Sequence, residues 1–179
     1  PAALLDVEVL CGSVRVHIGG ECHICACVGV ELMDPVLERK ILHPPMRTSA
    51  VINWGSNPQI TTIGHYAFQE YLGDSIVIPS SVTSLGYGAF SECPNLKNVT
   101  LSANLKAIDN YVFANCTSLD SITLPQKLEE IGSSVFENCT ALKSITIPNK
   151  VTTMYGSIFK HCTALKTVTL GTSLNYIGE

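Results

Sequence analysis

A solenoid of stacked coils is the fold class this sequence predicts, and three observations predict it. Cysteine recurs at Cys93, Cys116, Cys139 and Cys162, each step being 23 residues. All five phenylalanines of the chain (Phe68, Phe90, Phe113, Phe136 and Phe159) fall in one column of nearly the same period. Aliphatic residues recur in further registers, as in Ile63, Leu85, Ile108, Ile131, Met154 and Ile177, or Leu96, Leu119, Leu142 and Leu165. One coil of that length cannot bury its own apolar face, so coils stacked in register bury one another's. Five repeats and the start of a sixth cover residues 60 to 179.

Each part of the coil has a local reason. The stretches Ser121–Leu124 and Thr167–Leu170 alternate polar and apolar residues and are rich in β-branched side chains, which predicts a short strand. Pro79, Pro125 and Pro148 stop that strand, because proline has no amide hydrogen for a ladder. The segment before each cysteine, such as Ser133–Cys139, is too short for a long helix, and Ser133 suits an N-cap; a single helical or 3₁₀ turn is expected there. Gly64, Gly86 and Gly132, with Asp109 in their column, suggest a left-handed backbone position, which Gly156 takes over one place late after Tyr155. The repeat cysteines read as small buried hydrophobes in a column where parallel Cβ vectors make disulfides awkward; Tyr71 stands there in the first coil, so bulk is what the position requires.

The pattern L-x-x-I-x-L-P-x-x-L-x-x-I-G-x-x-A-F-x-x-C, best seen in residues 119–139 (LDSITLPQKLEEIGSSVFENC) and 142–162 (LKSITIPNKVTTMYGSIFKHC), resembles the BspA-like, Treponema-type leucine-rich repeat. The resemblance covers about two thirds of the chain. It implies a right-handed solenoid with short parallel strands on the concave face and short turns on the convex face. It also implies a secreted or surface-displayed protein linked to adhesion.

Between the buried strand positions lie two outward columns. One is Ser75, Asn98, Ser121, Ser144 and Thr167; the other is Val77, Thr100, Thr123, Thr146 and Thr169. They form an uncharged wall of hydroxyls that suits an exposed strand and offers a flat hydrogen-bonding surface. The ligand-binding candidates are therefore Ser75, Asn98, Thr100, Ser121, Thr123, Ser144, Thr146, Thr167 and Thr169, facing an extracellular protein or glycan. Lys97, Lys143 and Lys166 share a solvated column with Asp120. Of the N-x-S/T sequons at Asn98, Asn115 and Asn138, the last two are in one repeat column and follow from the repeat.

Composition bounds the rest. The 179 residues carry a net charge of -4, 46% hydrophobic and only 15% charged residues, which excludes a disordered chain. No basic block points to nucleic acid, and no apolar run reaches the ~18 residues of a membrane span. No signal peptide opens the chain; it starts at a proline and stops within the repeat pattern, and so reads as a processed or truncated piece. The array has no arginine, no column of paired carboxylates and no recognisable nucleophile context, so no catalytic residue, metal ligand or cofactor is assigned and no enzyme is expected. Its open ends allow self-association.

Residues 1 to 59 do not follow the period. Leu5–Leu10, Val14–Ile18 and a third stretch from Cys22 to Leu32 read as a β-meander turning at Gly19–Gly20. Asp34–Pro35 opens a helix expected to run to Leu42, and residues 46 to 59 read as a linker or imperfect first coil. This segment is either the N-terminal cap that a solenoid requires or an adjoining small β-domain. Its cysteines Cys11, Cys22, Cys25 and Cys27 leave packing, a disulfide or a metal site open, but no second C-x-x-C completes a zinc set.

Overall fold

The computed structural model of the chain describes residues 5–10, 13–18, 21–25, 52–54 and 60–178. Strands β1 (Leu5–Leu10), β2 (Ser13–Ile18) and β3 (Glu21–Cys25) form the expected antiparallel meander. The helix expected from Asp34 to Leu42, the continuation of β3 to Leu32, Cys11 and Cys27 lie outside the described residues. Within the stretch read as a linker, β4 (Ile52–Asn53) pairs with β1 in parallel. Ile52 joins the array's core, and the Trp54 ring meets Phe68 edge-on at 5.7 Å.

Each coil of the array contributes two strand positions where the sequence suggested one. The first gives a continuous parallel sheet of six: β5 (Thr62–Ile63), β7 (Ser84–Leu85), β9 (Ala107–Ile108), β10 (Glu130–Ile131), β12 (Thr153–Met154) and β14 (Tyr176–Ile177). Its register aligns Ile63, Leu85, Ile108, Ile131, Met154 and Ile177. The second is the predicted strand, present as two parallel pairs: β6 (Ser75–Val77) with β8 (Asn98–Thr100), and β11 (Ser144–Thr146) with β13 (Thr167–Thr169). In the middle coil, Ser121–Thr123 keep the alternating burial but are not paired as a strand, so this ladder is interrupted where the six-stranded sheet is not.

The core is a set of stacks running along the solenoid. Phe68, Phe90, Phe113, Phe136 and Phe159 lie face to face, with centroids 5.2, 5.7, 5.8 and 6.0 Å apart and planes within 9° of parallel. Offset aromatic stacking adds about 0.5–1.5 kcal/mol per pair to the area buried. Burial fades at the C-terminal end: Leu170 is 48% exposed, whereas Leu124 and Ile147 in its column are 3% and 1% exposed.

No helix occurs among the described residues, and the expected helical turn is replaced by a ladder of tight turns. Alternate amides point to the following coil: Tyr66 N–H donates to Tyr87 O (2.8 Å), Phe68 N–H to Ala89 O (2.8 Å) and Glu70 N–H to Ser91 O (3.0 Å). The amides between them close turns within the coil, as Gln69 N–H does on Tyr66 O (3.1 Å). A helical turn would direct all its amides along the chain. Here left-handed residues rotate alternate ones outward: Tyr66, Gly88, Tyr111, Ser134 and Ser157 in one column, and Glu70, Glu92, Asn115, Asn138 and His161 in the other.

Two side-chain expectations change as a result. Gly88 is the one glycine in the left-handed region among the described residues, and Gly64, Gly86 and Gly132 are not in it. At Gly132 the coils approach closely: a Cβ there would lie 2.6 Å from Asn110 N and 2.7 Å from the Asp109 carbonyl carbon. The cysteines do more than fill space. Each thiol donates to the phenylalanine carbonyl of the coil before it: Cys93 to Phe68 (3.2 Å), Cys116 to Phe90 (3.1 Å), Cys139 to Phe113 (3.2 Å) and Cys162 to Phe136 (3.0 Å). All four are free thiols.

Burial pushes the Cys116, Cys139 and Cys162 thiols up from their ordinary range. Unfolding releases them to ionise near ~8.5. The stability they contribute is therefore complete below that pH and is lost as pH rises above it, because the unfolded state then binds fewer protons than the folded one. Urea titrations between pH 7 and 10 should show stability falling above about 8.5, and falling less steeply in Cys139→Ala. Equal slopes in the two proteins would contradict this account.

Candidate functional site

All nine predicted surface residues (Ser75, Asn98, Thr100, Ser121, Thr123, Ser144, Thr146, Thr167 and Thr169) are exposed. The strands explain this, since their central residues Ile76, Val99, Ile145 and Val168 point inward and the pleat turns their neighbours out. Parallel pairing sets Ser144 beside Thr167 and Thr146 beside Thr169, and likewise Ser75 beside Asn98 and Val77 beside Thr100. Val77, 61% exposed, puts an apolar end on the second row. The rows are not brought into one sheet, because Ser121 and Thr123 belong to the unpaired middle coil.

Charge borders this face on one side. Lys143 Nζ lies 3.2 Å from an Asp120 carboxylate oxygen, and Ser121 Oγ donates to the other at 3.1 Å. Lys143, with help from Ser121, holds the Asp120 carboxyl below its usual range. Both partners are exposed, so the pair orders the surface more than it stabilises the fold. Lys97 and Lys166 continue the column and are exposed.

Sequence reasoning missed a second surface. A trough of about 760 Å³ runs along the outward side of the six-stranded sheet, floored by Thr62, Ser84, Ala107, Glu130 and Thr153. Its wall carries His65, Asp109, Asn110 and Tyr155. Tyr66, Tyr87 and Tyr111 do not line it; each directly follows a lining residue (His65, Gly86 and Asn110), with centroids 5.3 Å apart from one tyrosine to the next, and the lining His65 stacks on Tyr87 at 6.4 Å. The available signal was placement: five of the six tyrosines (Tyr66, Tyr87, Tyr111, Tyr155 and Tyr176) lie within three residues of the Ile63–Ile177 column.

Of the sequons, Asn98 sits on β8. Asn115 and Asn138 are left-handed turn residues, and Asn138 Nδ2 donates to Asn115 Oδ1 at 2.8 Å, one rung of an amide ladder between coils. In the N-terminal sheet, the β2–β3 register sets Cys22 opposite His17 and Cys25 opposite Val14.

Residues 61–179 match the BspA type leucine rich repeat region in six copies. Among solved structures, a leucine rich cell surface protein from Faecalibacterium prausnitzii is 34% identical over 64% of this chain, with a TM-score of 0.61. The chain spans only 31% of that protein's length. The T. pallidum leucine rich repeat protein is 22% identical with a TM-score of 0.61, covering 76% of this chain and 75% of its own; it shares the fold. The pneumococcal vaccine antigen PcpA shares it too, at 19% identity and a TM-score of 0.53, over 68% of this chain and 29% of its own. No curated protein matches significantly. Among the described residues no helix is long and apolar enough to cross a membrane. With two thirds of its length matched, this chain belongs to the BspA-type leucine-rich repeat family.

Proposed function

We propose that the chain is a non-enzymatic binding module of a secreted or surface-displayed protein, and that it docks an extracellular protein on its hydroxyl face. The observation that carries this reading is the uniform exposure of the nine serine, threonine and asparagine positions. Small, uncharged hydroxyls lose little side-chain entropy on docking and offer donors and acceptors in any orientation. The likeness to a cell surface protein of the same repeat class supports the location.

The test is a binding screen against extracellular matrix proteins, with neutral glycans as the competing class, followed by Thr123→Arg and Thr146→Arg. Each arginine puts a long charged side chain on the flat face. Each should weaken the interaction by at least about tenfold, or ~1.4 kcal/mol. Unchanged affinity in both variants would remove the hydroxyl face from the interaction.

A further inference from the structure

The three stacked tyrosines that adjoin the trough wall through His65, Gly86 and Asn110 are not explained by the fold. Tyr66 and Tyr111 have φ of 55° and 59°, in a column that Gly88, Ser134 and Ser157 fill in the other coils. A left-handed conformation is strained for an L-residue that has a Cβ. Both rings nonetheless stay partly in solvent, each tyrosine being 38% exposed. Tyr87, half-buried between them, carries His65 on its face. Burial, then the Tyr66 hydroxyl, push the Tyr87 phenol up, with Tyr111 and Asp109 adding to the effect.

Beside this aromatic strip the trough wall presents a donor and an acceptor in sequence. Asp109 Oδ1 accepts from Asn110 N–H, and Asn110 Oδ1 accepts from Ser133 N–H, each at 2.7 Å. Those bonds fix both side chains. They leave Asp109 Oδ2 as an acceptor and Asn110 Nδ2 as a donor. An adjacent pair of sugar hydroxyls, each able to donate and accept, matches that arrangement, while the C–H face of a pyranose ring suits an exposed aromatic ring with a polar tip. Charge narrows the class further. The described lining includes the carboxylates of Asp109, Glu129 and Glu130 and no lysine or arginine, with Glu129 paired to Lys150 at 3.0 Å. Sulfated or uronic acid ligands would be repelled.

We propose that coils one to three hold a binding site for a neutral, pyranose-based glycan. It lies along the trough, with its rings against Tyr66, Tyr87 and Tyr111 and its hydroxyls on Asp109 and Asn110. This site is separate from the hydroxyl face and stands or falls independently of it.

The test is isothermal titration of the whole chain with cellohexaose, xylohexaose and mannohexaose, with polylysine as the cationic alternative. At least one neutral oligosaccharide should bind with a Kd below about 1 mM. Tyr87→Ala and Asp109→Ala should each weaken it about tenfold or more, with Tyr87→Phe retaining most of the affinity. Because the alanine variants change a packed strip, saturation transfer from tyrosine ring protons to sugar C–H groups in the unaltered protein provides a second measurement and should be positive. The proposal is overturned if none of the three sugars binds at millimolar concentration, if no transfer from tyrosine is seen, or if polylysine binds in their place and Asp109→Ala abolishes that binding.

Discussion

Replacing Phe113 by alanine is expected to destabilise the array by about 3–5 kcal/mol, the range for truncating a buried aromatic. Phe113 is fully buried, with Phe90 5.7 Å and Phe136 5.8 Å away on its two faces. Its carbonyl accepts from the Cys139 thiol and its amide donates to Val135 O, both in the following coil, so with the Phe90 stack behind it the residue joins three successive coils. A small domain has only about 5–15 kcal/mol in total, and the loss falls at the middle of a one-dimensional stack. Contacts between nearest neighbours dominate such arrays. The transition in urea should therefore broaden as well as shift, because the coils on either side lose their coupling. Phe159→Ala supplies the internal comparison. That ring has only one aromatic neighbour and is half-buried, so its removal should cost less, about 1–2 kcal/mol. A loss below ~1 kcal/mol for Phe113→Ala would mean the phenylalanine column is not the core, and equal losses at the two positions would mean that neighbouring rings on both faces add nothing.

The phenylalanine column was legible because side chains that stack across coils must recur in one register, and registers survive in a linear sequence. The same holds for the exposed strand positions: alternation over three residues is enough to orient Ser144, Ile145 and Thr146. What the sequence hid are relations between backbones. The strand at Glu130–Ile131 is two residues long, too short to show alternation, and it exists because Ile108 and Met154 lie beside it. Left-handed turns at Tyr66 and Tyr111 run against residue preference, so no local rule finds them. The partner of the Cys116 thiol is a carbonyl 26 residues earlier, which a column of cysteines does not disclose. The trough follows from the same facts, since its floor is the sheet that has no pattern of its own.

The glycine column gives the second large expected effect and separates two explanations of it. Had Gly132 been required for a left-handed φ, asparagine would be the best tolerated replacement. Gly132 is not left-handed, and the added Cβ would instead meet the Asn110 amide nitrogen at 2.6 Å and the Asp109 carbonyl carbon at 2.7 Å. Both belong to the main chain of the preceding coil, so neither can rotate away. Gly132→Ala and Gly132→Asn should therefore be costly alike, by about 1–3 kcal/mol as overpacking usually is. The coils must part at a point where Gly132 N–H donates to Ile108 O at 2.8 Å and Ser133 N–H donates to Asn110 Oδ1 at 2.7 Å. Losing those bonds releases the Asn110 side chain from the trough wall. The variants should thus show faster hydrogen exchange at Gly132 and Ser133 than the parent protein, along with the lower urea midpoint. An asparagine variant as stable as the parent would restore the left-handed explanation, and an alanine variant within ~0.5 kcal/mol of it would show that the coils are not held at this separation.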